Sequence, residues 1–125
     1  MNGLVLGAGC KRGIDADAFE QMALGFLKDC GAPLSSVKAL ATIDVKKEEA
    51  AFLRFCEKYR LPLLTYSAEE LKAVPGRFAH SDFVEKTVGV DNVCERAAAR
   101  AGGRLLRGKT VMAGATFALA EEETP

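Results

Sequence analysis

The apolar positions of this chain follow two rhythms that alternate. Leu4, Val5 and Leu6 form a short unbroken run bounded by glycines, the pattern of a strand covered on both faces. From residue 15 to 30 the period changes. Phe19, Met22, Ala23, Phe26 and Cys30 recur at helical spacing and make one apolar face. Gly31, Ala32 and Pro33 then stop the helix. Residues 37–43 read as a second strand, and 47–59 as a second helix with Phe52, Leu53, Cys56 and Tyr59 facing inward. Residues 61–66 read as a third strand, in which Pro62 must sit near the start or at an edge. Ser67 and Glu70 have capping-box spacing and open a short helix to about residue 73.

This alternation implies parallel strands joined by right-handed crossovers. The second half reads differently. Residues 81–88 predict a short helix. Asn92 and Glu95 again have capping-box spacing and open a helix through residue 101. Its face of Val93, Ala97, Ala98 and Ala101 is small enough to pack closely on a neighbour. Gly102 and Gly103 end it, and residues 104–107 and 113–120 predict an antiparallel hairpin joined by a short glycine-containing loop. The acidic residues 121–125 read as a disordered tail. The expected fold is α/β: three α/β/α layers in one domain, residues 1–120, with a mixed, mainly parallel sheet and a C-terminal antiparallel hairpin.

Composition narrows the function classes. A chain of 125 residues can bury a core without metals or disulfides. Its 17 cations balance 17 anions, so no basic excess points to nucleic acid. No apolar run reaches the length of a membrane span, and no basic-then-apolar leader opens the sequence. Cys10, Cys30, Cys56 and Cys94 are scattered without a C-x-x-C pair. With one histidine, His80, they supply no tetrahedral metal set, and the expectation is no metal site and no cofactor. Free thiols in such a pattern suit a reducing cytoplasm.

The candidate chemistry lies where the strands end, because open sheets of this sort bind ligands beyond their carboxyl edges. That rule gathers the turn Gly7, Gly9, Cys10, Lys11, Arg12 and Gly13, then Thr42 to Lys46, then Ser67. The glycines let a ligand approach the backbone closely. The helix after the turn, capped by Asp15 or Asp17, points free N–H groups at it, and Lys11 and Arg12 add two full charges. These features predict a site for a carboxylate- or phosphate-bearing small molecule. A dinucleotide fits less well, since the glycine run is one residue longer than the dinucleotide fingerprint and Asp44 lies too far beyond it. Cys10 reads first as a turn residue and second as a nucleophile whose pKa the cations and helix end would lower. Asp44 reads first as a cap for the segment starting near Lys46 and second as a general base.

Several ordered motifs carry a resemblance. Gly7-Ala8-Gly9-Cys10-Lys11-Arg12-Gly13 resembles the G-x-G-C-[RK]-[RK]-G opening of the cobalamin-biosynthesis CobE/CbiG carboxy-terminal domain family. Ala41-Thr42-Ile43-Asp44-Val45-Lys46 is similar to that family's A-T-I-D-x-K segment. Tyr66-Ser67-Ala68-Glu69-Glu70-Leu71 looks like its third strand end and following helix. Gly89, Val93, Glu95, Ala97 and Ala98 match its G-x-x-x-V-x-E-x-A-A pattern, and Lys109 and Thr116 fall where its terminal hairpin carries them. Thr110 and Val111 depart from the more basic hairpin tip of the family. The start of the chain, almost directly at the first strand, resembles the free-standing member or an isolated domain.

The resemblance implies a role in building the corrin ring of vitamin B12. Fused members are cobalt-precorrin-5A hydrolases, which open a δ-lactone on the macrocycle and release acetaldehyde. The implied partner is a precorrin-type tetrapyrrole carboxylate, with other corrin-pathway enzymes as further partners and neither nucleic acid nor membrane. Lys11, Arg12, Lys46 and Lys109 near helix N-termini suit such a polyanion. Two functions are expected from these residues. One is binding or delivery of a precorrin; the other is lactone hydrolysis, with Asp44 activating water and the amides of residues 9–13 as an oxyanion site.

Overall fold

The computed structural model describes residues 3–122, leaving aside the side chains of Phe83 and Thr87. The elements follow in the order β1 (Leu4–Cys10), α1 (Ala16–Asp29), β2 (Val37–Ile43), α2 (Ala50–Tyr59), β3 (Leu63–Tyr66), α3 (Ala68–Lys72), α4 (Asp82–Val88), α5 (Val93–Gly102), β4 (Gly103–Met112) and β5 (Ala115–Glu122). The five strands form one sheet in the order β3-β2-β1-β5-β4. β1, β2 and β3 run parallel, and β5 runs antiparallel to both β1 and β4. The expected three-layer architecture with a C-terminal antiparallel hairpin is therefore the observed one. Among the described residues no helix is long and apolar enough to cross a membrane.

One face of the sheet is closed by α1 and α2 through aromatic packing. Phe19 meets Phe52 at 5.0 Å and Phe117 at 5.4 Å between ring centroids, and Phe26 stacks on Phe117 at 5.5 Å. Tilted and edge-on pairs of this kind add roughly 0.5–1.5 kcal/mol each beyond their burial. Lys58 and Tyr59 both donate to the Glu20 carboxylate and so tie the ends of α1 and α2 together. The inward face of α2 differs from the expected one at one position. Phe55 is buried while Leu53 is 44% exposed, because α2 starts at Ala50 and is preceded by a separate 3-10 turn over Asp44–Lys46.

The opposite face is covered by α3, α4 and α5. Capping fixes their starts. Ser67 accepts from Glu70 N–H and Glu70 accepts from Ser67 N–H, both at 3.0 Å, so the predicted capping box is present. Asn92 accepts from Glu95 N–H at 3.0 Å, and the Glu95 carboxylate accepts from the Asn92 side-chain amide at 2.8 Å, with its further bonds described below.

α5 lies against the middle of the sheet because both surfaces are nearly bare of side chains there. A Cβ placed on Gly7 would stand 2.0 Å from the Cys94 carbonyl oxygen and 2.8 Å from Ala98 Cβ. Ala97, Ala98, Ala118 and Ala120 are fully buried around this contact.

The hairpin is longer than its hydrophobic pattern predicts. β4 continues to Met112, with register irregularities between Leu105 and Arg107 and between Arg107 and Thr110, and the chain turns at Ala113 and Gly114. Glycine at position 108 made this segment look like a loop, yet it is a bulged strand. Glu121 and Glu122 belong to β5 instead of to an acidic tail, with Glu121 paired to Arg104 and Glu122 to Lys38. Residues 123–125 lie outside the described residues.

Two glycine substitutions separate packing from backbone effects. Gly7→Ala forces the Cys94 carbonyl away and is expected to cost about 3 kcal/mol, the upper end for an overpacked core. Gly25→Ala, with nothing within 4 Å of the new methyl in mid-α1, is expected to gain about 0.5–1 kcal/mol. Urea denaturation of the two variants checks the signs, and a Gly7→Ala protein as stable as the parent would contradict the close seat of α5.

Candidate functional site

Because β1, β2 and β3 are parallel, their carboxyl ends share one edge of the sheet, and Cys10, Asp44 and Ser67 all stand at that edge. A cleft of about 1080 Å³ opens there, centred on the end of β1. It is slightly larger than the roughly 300–1,000 Å³ usual for small-molecule sites. Four segments enclose it: the turn after β1, the 3-10 turn leading to α2, the junction of α4 and α5, and the tip of the β4–β5 hairpin.

Of the residues singled out in the sequence, Gly9, Cys10, Lys11, Arg12, Gly13, Lys46 and Lys109 line the cleft. Gly7, Thr42, Asp44 and Ser67 do not. The close approach that Gly7 permits is made by α5. Thr42 is fully buried, and its hydroxyl donates to the Ala8 carbonyl at 2.8 Å, stitching β2 to β1. Ser67 is occupied in its capping box. Asp44 begins the 3-10 turn, where its carbonyl accepts from Lys47 N–H at 3.0 Å.

The turn after β1 is held from both sides. Lys11 N–H donates to the Gly114 carbonyl at 2.8 Å, and the aliphatic stem of Lys11 lies over Gly114, within 2.9 Å of where a Cβ would stand. Gly13, at φ +74°, reverses the chain before Asp15 caps α1 by accepting from Ala18 N–H at 2.9 Å. The backbone of Gly13 is not free. Its N–H points at the Glu49 carboxylate, 3.4 and 3.3 Å from the two oxygens. The Lys46 ammonium lies 3.6 Å from the same carboxylate.

This setting agrees with the first reading of Cys10, as a turn residue, and goes against the second, as a nucleophile with a lowered pKa. Burial pushes its thiol up to about 12; the Lys46 charge pulls it down, but Glu49 pushes it up again by repulsion. Cys94, also in the cleft, is raised to about 11, mainly by burial. Both are neutral thiols at physiological pH.

A second carboxylate fixes the opposite wall. Glu95, 6% exposed, accepts from Ala79 N–H at 2.8 Å, Asn92 Nδ2 at 2.8 Å and Lys109 N–H at 2.6 Å. It thus joins the segment before α4, the start of α5 and strand β4. Arg96 reinforces the join: it binds Asp91 at 2.8 Å and the Leu71 carbonyl at 3.1 Å, and it covers the Phe78 ring at 4.8 Å. His80 lies on the outer side, between Asp91 at 3.0 Å and Asp82 at 2.7 Å, and the Asp91 and Asp82 contacts raise its pKa. His80, Asp82 and Glu85 form a cluster of exposed side chains there.

The walls between the charges are apolar: Ile43, Val45, Val84, Val88, Val93, Val111 and Met112. Val45 is 66% and Val111 70% exposed, and both flank the cleft. Sequence inspection passed over these two, although Val45 stands between Asp44 and Lys46 where a loop needs no apolar residue. Glu49 gave no signal, since its role depends on a turn 36 residues away.

Such geometry defines an α/β domain that can hold a ligand with an apolar body and an acidic periphery. Comparison with known proteins makes this specific. Residues 4–120 match the family described as cobalamin synthesis G C-terminus. Protein CobE of Sinorhizobium sp is 36% identical over 126 residues, covering 98% of this chain and 82% of the relative. A cobalt-precorrin-5A hydrolase of Priestia megaterium is 37% identical over 95 residues; the match takes in 76% of this chain but 25% of the hydrolase. The crystal structure of CobE, from the cobalamin (vitamin B12) biosynthetic pathway, superposes with a TM-score of 0.87 at 28% identity, covering 99% of this chain and 93% of that one. The cobalamin biosynthesis protein chiG of Agrobacterium tumefaciens str. C58 gives 0.73 at 26% identity, covering 97% and 99%. The chain belongs to the cobalamin synthesis G C-terminus family and is a cobalamin biosynthesis protein.

The buried thiol provides a direct check on the electrostatics of the cleft. Alkylation of Cys10 by iodoacetamide at pH 8, followed by peptide mass spectrometry, is expected to run at least about tenfold slower than that of an ordinary cysteine with a pKa near 8.5. The rate should keep rising with pH well past pH 10, because the thiolate fraction grows until the raised pKa is reached. Rapid alkylation that levels off near pH 8 would show an activated thiolate instead.

Proposed function

We infer that the chain binds a precorrin-type tetrapyrrole carboxylate in the cleft at the β1 edge. The observation that carries this reading is the pairing of exposed apolar walls with four cations in one cleft of a chain with no net charge. Precorrins present an apolar ring bordered by acetate and propionate groups. Val45, Val111 and Met112 supply contact for the ring, while Lys11, Arg12, Lys46 and Lys109 are spaced around it for the carboxylates. Relatives named for cobalamin biosynthesis and for cobalt-precorrin hydrolysis support the ligand class.

Binding, with delivery to other corrin-pathway enzymes, fits the geometry better than hydrolysis. Activation of water needs a carboxylate or thiolate that faces the ligand with a free lone pair. Asp44 is outside the cleft lining, Cys10 is a neutral thiol, and Glu49 is engaged by Lys46 and Gly13.

Titration with a purified precorrin, followed by its visible absorbance, tests the reading. Binding is expected to weaken as salt rises, since exposed cation–carboxylate contacts are screened. Lys11→Ala combined with Arg12→Ala should weaken binding about tenfold at low salt, about 1.4 kcal/mol, while leaving the melting temperature nearly unchanged, as exposed turn cations add little to folding. Arg12→Ala alone should cost more than Lys11→Ala, because a guanidinium can grip a carboxylate in two places. Equal affinity in the double variant and the parent at low salt would refute the assignment.

A further inference from the structure

We propose that Glu49 is an internal placeholder for one carboxylate of the ligand, occupying a ready-made anion position until a ligand carboxylate displaces it. The inference rests on the binding reading above and specifies how that site selects its ligand.

Three features set Glu49 apart from an ordinary surface acid. It stands at the N-cap position of α2 yet makes no side-chain bond to that helix. Its side chain turns instead into the cleft and is only 9% exposed. There it faces two groups from two different segments: the Gly13 amide and the Lys46 ammonium. A backbone amide and an ammonium converging on one point are what a protein uses to hold a ligand carboxylate. The bonds are also loose. The amide contacts are 3.3 and 3.4 Å and the ammonium contact 3.6 Å, longer than the usual 2.7–2.9 Å of charge-assisted bonds. A loosely held internal anion is easily exchanged for an external one.

The consequence is selectivity. A ligand with a single carboxylate must evict Glu49 for one contact of the same kind and gains little. A ligand with many carboxylates can use Lys11, Arg12 and Lys109 at the same time, and the added contacts offset the displacement. Glu49 therefore raises the threshold against small acids while leaving a polycarboxylate able to bind. Once displaced, it swings toward the solvent side of the cleft, where Glu48 already lies exposed.

Glu49→Gln is the direct test, and Glu48→Gln is its control. Both remove one negative charge from the cleft, but only Glu49 occupies the anion position. Glu49→Gln is expected to bind a purified precorrin about tenfold more tightly at low salt, with Glu48→Gln within about twofold of the parent. A second probe does not depend on tetrapyrrole binding. In an amide NMR titration with sodium acetate, the Gly13 resonance of Glu49→Gln should move with acetate, while that of the parent and of Glu48→Gln stays fixed. Glu49→Ala should behave like Glu49→Gln, and thermal melting confirms that both variants are folded. If Glu49→Gln binds the precorrin no better than Glu48→Gln, and its Gly13 amide ignores acetate, the placeholder is refuted while precorrin binding by the parent stands. If Gly13 responds to acetate but no variant binds a precorrin, the placeholder stands and the ligand class is wrong.

Discussion

The close seat of α5 on β1 is the contact on which the site depends. It exists because position 7 has no side chain and because Ala97, Ala98, Ala118 and Ala120 keep both surfaces shallow. With α5 pressed against the sheet, its first turn lies beside the end of β1, and Asn92, Val93 and Cys94 become one wall of the cleft. The same seat brings Glu95 to where it can accept from Ala79, Asn92 and Lys109 together. A buried carboxylate without enough donors is costly, so three N–H groups around Glu95 fix the segment before α4 and the hairpin in one arrangement. Removing the close approach at Gly7 would loosen two of the four segments that enclose the cleft.

Charge in the cleft is organised by the two glutamates in opposite ways. Glu95 is locked by short bonds to backbone and amide donors and shapes the wall. Glu49 is held by longer contacts to Gly13 and Lys46 and lies on the path of any anionic ligand. Cys10, raised chiefly by burial and further by the charge of Glu49, is a neutral thiol and not a nucleophile. The turn G-A-G-C-K-R-G thus combines fixed parts, Lys11 N–H on Gly114 and Asp15 on α1, with one exchangeable contact at Gly13. Around these charges, exposed Val45 and Val111 leave apolar surface that the isolated protein does not cover.

Local signals made most of the fold legible in the sequence. Strand β2 matches its apolar run residue for residue, α1 begins directly after Asp15, one of its two expected caps, and α4 covers Asp82–Val88 of the helix expected over 81–88. The failures share a cause: they depend on contacts distant in sequence. β4 was hidden because Gly108 interrupts its pattern, and only pairing with β5 keeps the bulged segment extended. Glu121 and Glu122 read as tail residues because their partners, Arg104 and Lys38, are far along the chain. In the site, the cations of the β1 turn, Lys46 and Lys109 were visible as motif residues. The position of Asp44 outside the cleft was not, since the 3-10 turn that carries it has no sequence mark of its own. Glu95 was visible as a motif residue and as half of a capping box, but not as the carboxylate that gathers Ala79, Asn92 and Lys109.

The central claim is that one cleft at the β1 edge receives an acidic tetrapyrrole. Mapping amide NMR shifts of the uniformly labelled protein on addition of a purified precorrin tests it most directly. The account predicts shifts concentrated in residues 9–13, 45–50, 84–94 and 109–116, with the outer surface of α1 and α2 unaffected. Shifts gathered instead in the groove between α1 and α2, around Glu20 and Lys58, or spread evenly over the surface, would contradict it.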